Sequence, residues 1–160
     1  MEVQINSIAQ ADNEALATLI RAVFDEFNAP RIGTVYTDPT TDDLFSLFEK
    51  ERSVLYVARV NGEIAGSCGI YPTEGLPLGY AELVKFYILR AYRGKGVGKV
   101  LMERCEAEAL ALGYTHLYLE SLDKFSAAVD IYQRIGFRFI DHRLGHSGHS
   151  GCGIWMVKEL

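Results

Sequence analysis

The chain has 160 residues, 49% of them hydrophobic, and a formal net charge of −5 at pH 7. That length and apolar content suit one domain over residues 1–160 with a continuous core, and leave a second domain no room. Charges of both signs are dispersed, so the basic patch that phosphate-backbone binding demands is missing, and no apolar run approaches membrane-spanning length; nucleic acid and membrane are excluded as partners.

Cys68, Cys105 and Cys152 are odd in number and lack C-x-x-C spacing, which points to reduced thiols rather than a disulfide framework. Glu2, Gln4 and Asn6 interrupt the start, unlike a signal peptide, so a cytoplasmic location is expected. Residues 2 to 8 read as a first strand. Asp12-Asn13-Glu14 then supplies an N-terminal cap for a helix carrying Leu16, Leu19, Ile20, Val23 and Phe24 on one face. Asp38-Pro39-Thr40-Thr41 stops and restarts the chain, and Leu44, Phe45, Leu47 and Phe48 form the apolar face of a second helix. Ser53 to Val60 and Glu63 to Tyr71 flank Asn61-Gly62, a strong two-residue turn signal, which predicts a β-hairpin. Its sheet continues through a strand over 80–89. Val97, Leu101, Cys105, Ala109 and Leu112 recur at helical spacing next, followed by a strand at 115–121, a helix at 125–135 and strands at 137–142 and 152–159. This order predicts an α/β fold with a mixed central sheet and helices on both faces.

The junction between the 80–89 strand and the helix after it reads Arg93-Gly94-Lys95-Gly96-Val97-Gly98-Lys99. Backbone N–H groups in a first helical turn have no intrahelical acceptor and the macrodipole makes that end positive, so a phosphate placed there satisfies both. Glycines let it approach the backbone. The pattern G-x-x-x-x-G-K-[ST] fails, because three residues rather than four separate Gly94 from Gly98-Lys99 and Val100 stands where a hydroxyl is needed. The dinucleotide pattern G-x-G-x-x-G fails too, since the glycines alternate, although Glu120 lies where a ribose-binding acid would. A diphosphate-bearing cofactor at this turn is the reading preferred here; a Rossmann-type dinucleotide binder and a glycine turn without ligand remain open.

Arg93, Gly96 and Gly98 meet the signature [QR]-x-x-G-x-[GA], Glu82-Leu83 stands six residues ahead of Ile88, and Ala128 to Phe137 fits A-x-x-x-Y-x-x-x-G-F. On these motifs the chain resembles the GNAT superfamily of acetyl-CoA-dependent acyltransferases, firmly over 80–140 and only topologically over the first 75 residues, where substrate choice resides. The resemblance implies a mostly antiparallel sheet splayed near residue 88, and two copies able to pair as a homodimer. It implies acetyl-CoA held by main-chain groups of Arg93, Gly94, Lys95, Gly96, Val97, Gly98 and Lys99, with charge added by Arg93 and Lys95. It also implies an oxyanion donor at the N–H of Ile88, which bonds the acetyl and pantetheine portions as well, and a Tyr132 phenol that protonates the departing thiolate. A CoA-sensing module without catalysis would keep the loop but lack Tyr132 and Glu82.

An aliphatic amine is mostly protonated at neutral pH, so acetyl transfer to it needs a base. Glu82, on the strand that the resemblance places along the cleft, is the candidate, directly or through water, with Glu120 in reserve; a solvated strand acid or a mere partner of Lys85 is the competing reading. His146, His149 and Cys152 could each ligate zinc, but a fourth ligand is missing at any expected spacing, so no metal is expected. Asp25, Glu26, Asp38, Asp42 and Asp43 would suit a cationic amine if they faced the cleft, though a solvated acidic face is the plainer reading. Tyr36, Tyr71 and Tyr80 are candidates to line the same opening. The acceptor is expected to be a small-molecule or peptide amine.

Overall fold

The strands are β1 (Val3–Ser7), β2 (Val54–Val60), β3 (Glu63–Tyr71), β4 (Tyr80–Ile88), β5 (His116–Ser121), β6 (Arg138–Ile140) and β7 (Ile154–Glu159), and the helices α1 (Asn13–Glu26), α2 (Leu44–Leu47), α3 (Val97–Ala111) and α4 (Ser126–Arg134), in a computed structural model that describes residues 1–160. One seven-stranded sheet runs in the order β1-β2-β3-β4-β5-β7-β6. Every neighbouring pair is antiparallel except β4 and β5. The strands predicted from alternation all form. So does the hairpin, with Asn61 at φ 53° and Gly62 at φ 82°, the left-handed pair that a tight two-residue turn requires.

Period-two alternation splits the core across the sheet. Tyr56, Ala58 and Val60 of β2 pack with Leu101, Cys105 and Ala109 of α3 on one face. Leu55 and Val57 pack with Leu16, Ile20 and Phe24 of α1 on the other. Two details differ from expectation. Asp12 stands before α1, but its carboxylate turns back to accept from the Ala9 N–H at 2.9 Å and to pair with Arg59, so it does not cap the first turn with its side chain. The second helix shrinks to α2, because Asp38 and Asp43 cap successive short turns, accepting from Thr40 N (2.9 Å) and Ser46 N (3.2 Å).

The feature that positions everything downstream is a bulge in β4. Ser67 pairs with Tyr87 and Gly69 with Val84, so Lys85 and Phe86 together oppose Cys68. Lys85 takes up the extra length at φ 56°, a left-handed conformation rare for a residue with a Cβ. The bulge resets the alternation: Leu83 and Phe86 face α3, whereas Val84 and Tyr87 face α1. Ser67, fully buried, donates its hydroxyl to the Lys85 carbonyl at 2.6 Å and holds the bulge in place. Ser67→Ala would leave that carbonyl unpaired and is expected to lower stability by about 1–3 kcal/mol in urea unfolding; an unchanged midpoint would show that the bulge needs no such clamp.

Candidate functional site

β4 stays beside β5 only as far as Glu82, which pairs with Tyr118. Past that point the strands part, and β5 keeps only its bonds to β7 on the far side. Leu89 N–H donates to Ala65 O at 2.9 Å, so by antiparallel alternation the amide of Ile88 points away from β3, into the opening. The Ile88 carbonyl faces the same way, accepting from Arg93 Nε at 3.0 Å. The opening is a cleft of about 830 Å³ that reaches from Phe24 of α1 and Phe27 just after it, past the free edge of β4, to Met102 of α3 and Tyr132 of α4.

At the mouth of this cleft the glycine turn enters α3. Gly94 and Gly96 lie at φ 72° and 84°, and a Cβ on either would meet nothing within 4 Å. Both glycines therefore serve backbone conformation and leave open space over the first turn of α3, the space an anion needs. Gly98 has a different role, since a Cβ there would come within 3.1 Å of the Phe86 ring; it lets α3 sit close on β4. The Arg93 side chain departs from its expected part. It forms a two-pronged pair with Glu26 of α1 at 2.6 and 2.8 Å and lies over the Phe27 ring, so it joins α1 to the turn instead of reaching toward solvent. Lys95 and Lys99 are exposed, and Lys99 stands 3.9 Å from Glu103.

A second cleft of about 300 Å³ opens on the α1 face, and Glu82, Val84, Lys85 and His149 line both. Glu82 is buried, accepts from Thr73 Oγ1 at 2.6 Å, and is pushed by burial up to about 7. Its expected partner, Lys85, makes no ion pair with it. Glu120, the reserve base, lines the larger cleft with its carboxylate already accepting from Tyr118 at 2.7 Å, from Ser147, and from Arg143 at 3.3 Å. Tyr132 is buried beside Phe86 and Phe137, and burial raises its phenol well above the usual tyrosine range.

The loop between β6 and β7 roofs the second cleft. Gly151 N–H donates to Gly33 O and His146 N–H to Glu74 O, both at 2.8 Å, and His149 Nε2 lies 2.8 Å from Asp38 Oδ2. That bond occupies His149, and no group of three His, Cys, Asp or Glu side chains converges to hold a metal. Of the early acidic residues only Asp38 reaches this cleft. Asp25 pairs with Arg31, Glu26 with Arg93 and Asp42 with Arg21, while Asp43 caps α2. Among the tyrosines Tyr71 lines it; Tyr36 packs on Phe24 and Tyr80 stacks on His116. Sequence reasoning named Lys85 only as a possible partner of Glu82 and missed both its place in the bulge and the Asp38–His149 pair. The signal for the first was a lysine between Val84 and Phe86 in a buried strand; for the second, partners separated along the chain, there was none.

Residues 17–137 match the model of the acetyltransferase (GNAT) family. A protein of Escherichia coli (strain K12) named uncharacterized N-acetyltransferase YjgM is 35% identical over 150 residues, 93% of this chain and 90% of that one. A GNAT acetyltransferase from Staphylococcus aureus Mu50 superposes with a TM-score of 0.84 at 20% identity, covering 99% of each chain. The PaiA N-acetyltransferase of Thermoplasma acidophilum, solved with coenzyme A, superposes at 0.71 and 16% identity over the whole of both chains. Gly96→Val would force a β-branched residue to φ 84° at the turn. It is expected to weaken acetyl-CoA binding by tenfold or more in titration calorimetry; unchanged affinity would place the diphosphate elsewhere.

Proposed function

The chain belongs to the GNAT family of acetyltransferases, and from that premise we propose that it moves the acetyl group of acetyl-CoA to a small primary amine by direct attack on the thioester. The observation that carries this reading is the opening between β4 and β5. It presents a free Ile88 N–H, a Glu82 carboxylate titrating near neutrality and a Tyr132 phenol to one cleft. The diphosphate of acetyl-CoA would lie on the main-chain N–H groups around Gly94, Gly96, Val97 and Gly98. Exposed Lys95 and Lys99 would add charge, and the pantetheine arm would run along the free edge of β4. The acceptor would enter through the smaller cleft on the α1 face, whose volume of about 300 Å³ favours a small molecule over a peptide.

In this scheme the acceptor ammonium gives a proton to Glu82, and its nitrogen forms a bond to the thioester carbonyl carbon. The Ile88 N–H meets the negative charge that develops on the carbonyl oxygen, a contact whose loss in comparable sites costs about 3 kcal/mol of barrier. As the C–S bond breaks, the electron pair goes to sulfur. A thiol has a pKa near ~8.5, below that of the raised phenol, so Tyr132 stabilises the departing thiolate chiefly by a hydrogen bond, and the second proton of the former amine nitrogen passes to the sulfur as the amide forms and CoA leaves as the thiol. A covalent acetyl-cysteine route has less support. Cys152 lines the cleft, but burial pushes its thiol up to about 12, and the His149 ring is bonded to Asp38 rather than to that sulfur.

Tyr132→Phe is expected to retain acetyl-CoA affinity while kcat falls by about 10–100-fold, the value of one hydrogen bond to a charged atom; unchanged turnover would remove the phenol from the reaction. Glu82 is the titrating base, held above its ordinary value at about 7. Below that pH the carboxyl is neutral and accepts no proton, so kcat/KM should rise with pH through about 7, and Glu82→Gln should lower the rate and erase that limb. Stability should respond with the opposite sign. The neutral carboxyl favours folding, so this contribution is full below pH 4.5 and lost as pH rises through about 7, and thermal melts at pH 8 should find the Gln variant the more stable. A rate limb that survives in Glu82→Gln would assign the titration to another group.

A further inference from the structure

Lys85 has no role in the scheme above, yet it is the most constrained side chain at the site. It is the extra residue of the β4 bulge, left-handed at φ 56°, and it projects where both clefts meet with only 6% of its surface exposed. No carboxylate approaches it within 4.0 Å, and no hydrogen bond reaches its amine. The acids nearest in effect already have other partners: Asp38 takes His149 and Thr40, and Glu82 takes Thr73. The side chain is largely buried while its amine keeps a small opening onto the cleft, and burial lowers its proton affinity despite Asp38 and Glu82. Cys152 and His149 complete its surroundings; one is a neutral thiol and the other is turned to Asp38. Backbone strain with an unpaired charge in a cleft is an arrangement a ligand completes.

We infer that the acceptor is a free amino acid or similarly small zwitterion, its carboxylate held by Lys85 and its amine presented to Glu82. The two charges of such a molecule match the alternation in the cleft, a cation at Lys85 beside acids at Glu82 and Asp38. Phe48, Tyr71 and Leu47 of the smaller cleft would receive an apolar side chain. A protein N-terminus or lysine fits poorly, since neither carries a carboxylate next to its amine.

This inference rests on the transferase reading, and the test keeps the two apart. Acetyl-CoA binding is measured first by calorimetry; failure to bind overturns the transferase reading itself. Thiol release is then followed with the free amino acids beside their amides and their decarboxylated amines. The wild-type protein is expected to favour at least one amino acid over its amide by about a hundredfold in kcat/KM, the scale of a buried charge pair. Lys85→Met should collapse that ratio with the loss in KM, and Lys85→Arg should restore part of it. Lys85→Asn, better suited to a left-handed backbone, serves if Met does not fold. Binding of acetyl-CoA with turnover of amides and amines as fast as amino acids, with turnover of no panel member, or with a ratio indifferent to Lys85 would overturn the inference and leave the cofactor site standing.

Discussion

Where β4 leaves β5 after Glu82 and Tyr118, main-chain N–H and C=O groups of adjacent strands face one another across a space too wide to bond. Buried backbone groups of this kind must find partners. Arg93 supplies one, closing on the Ile88 carbonyl while its other nitrogens hold Glu26. The Ile88 N–H remains, directed into the cleft, and a substrate carbonyl is a natural acceptor for it. The rest of the site follows from this parting: a cleft that crosses the sheet, with one side beneath α3 and α4, where the cofactor is proposed to lie, and the other beneath α1 and the loops, where the acceptor is proposed to enter.

The parting depends on packing as much as on bonding. The bulge at Lys85 turns the end of β4, and Ser67 fixes it from β3. Gly98 lets α3 approach Phe86, so the helix N-terminus arrives beside the same strand end. On the opposite face the β6–β7 loop is tied to residues 33 and 74 by backbone bonds and to Asp38 through His149. Arg143, Ser147 and Tyr118 gather on the buried Glu120 carboxylate and anchor that loop to β5. Glu120 thus has a structural role, holding three donors, while Glu82, with one hydroxyl partner, keeps its proton up to about 7 because it is buried.

Much of this was legible in the residues. The hairpin followed from Asn61-Gly62 between alternating runs, and α3 from the recurrence of Val97, Leu101, Cys105 and Ala109, all of them buried. The order of elements carried the sheet, and the Arg93, Gly96, Gly98 signature pointed to the family. What escaped depended on contacts between distant positions. Glu26 and Arg93 lie 67 residues apart and His149 and Asp38 lie 111 apart, and nothing local marks either pair. The bulge was hidden for a similar reason, since it is defined by how β4 registers against β3 rather than by composition. Asp12 and Asp43 show the limit of capping rules. Both are well-placed acids, but Arg59 and the Ala9 amide draw Asp12 away from its helix, while Asp43 keeps to its own.

The most direct test of the account is a structure determined with acetyl-CoA. The diphosphate is predicted to rest on the amides between Gly94 and Lys99, with the thioester oxygen about 2.9 Å from the Ile88 nitrogen and the sulfur beside Tyr132. A thioester bound away from the end of β4, or an Ile88 N–H turned from its oxygen, would contradict the claim that the parting of β4 and β5 makes this site.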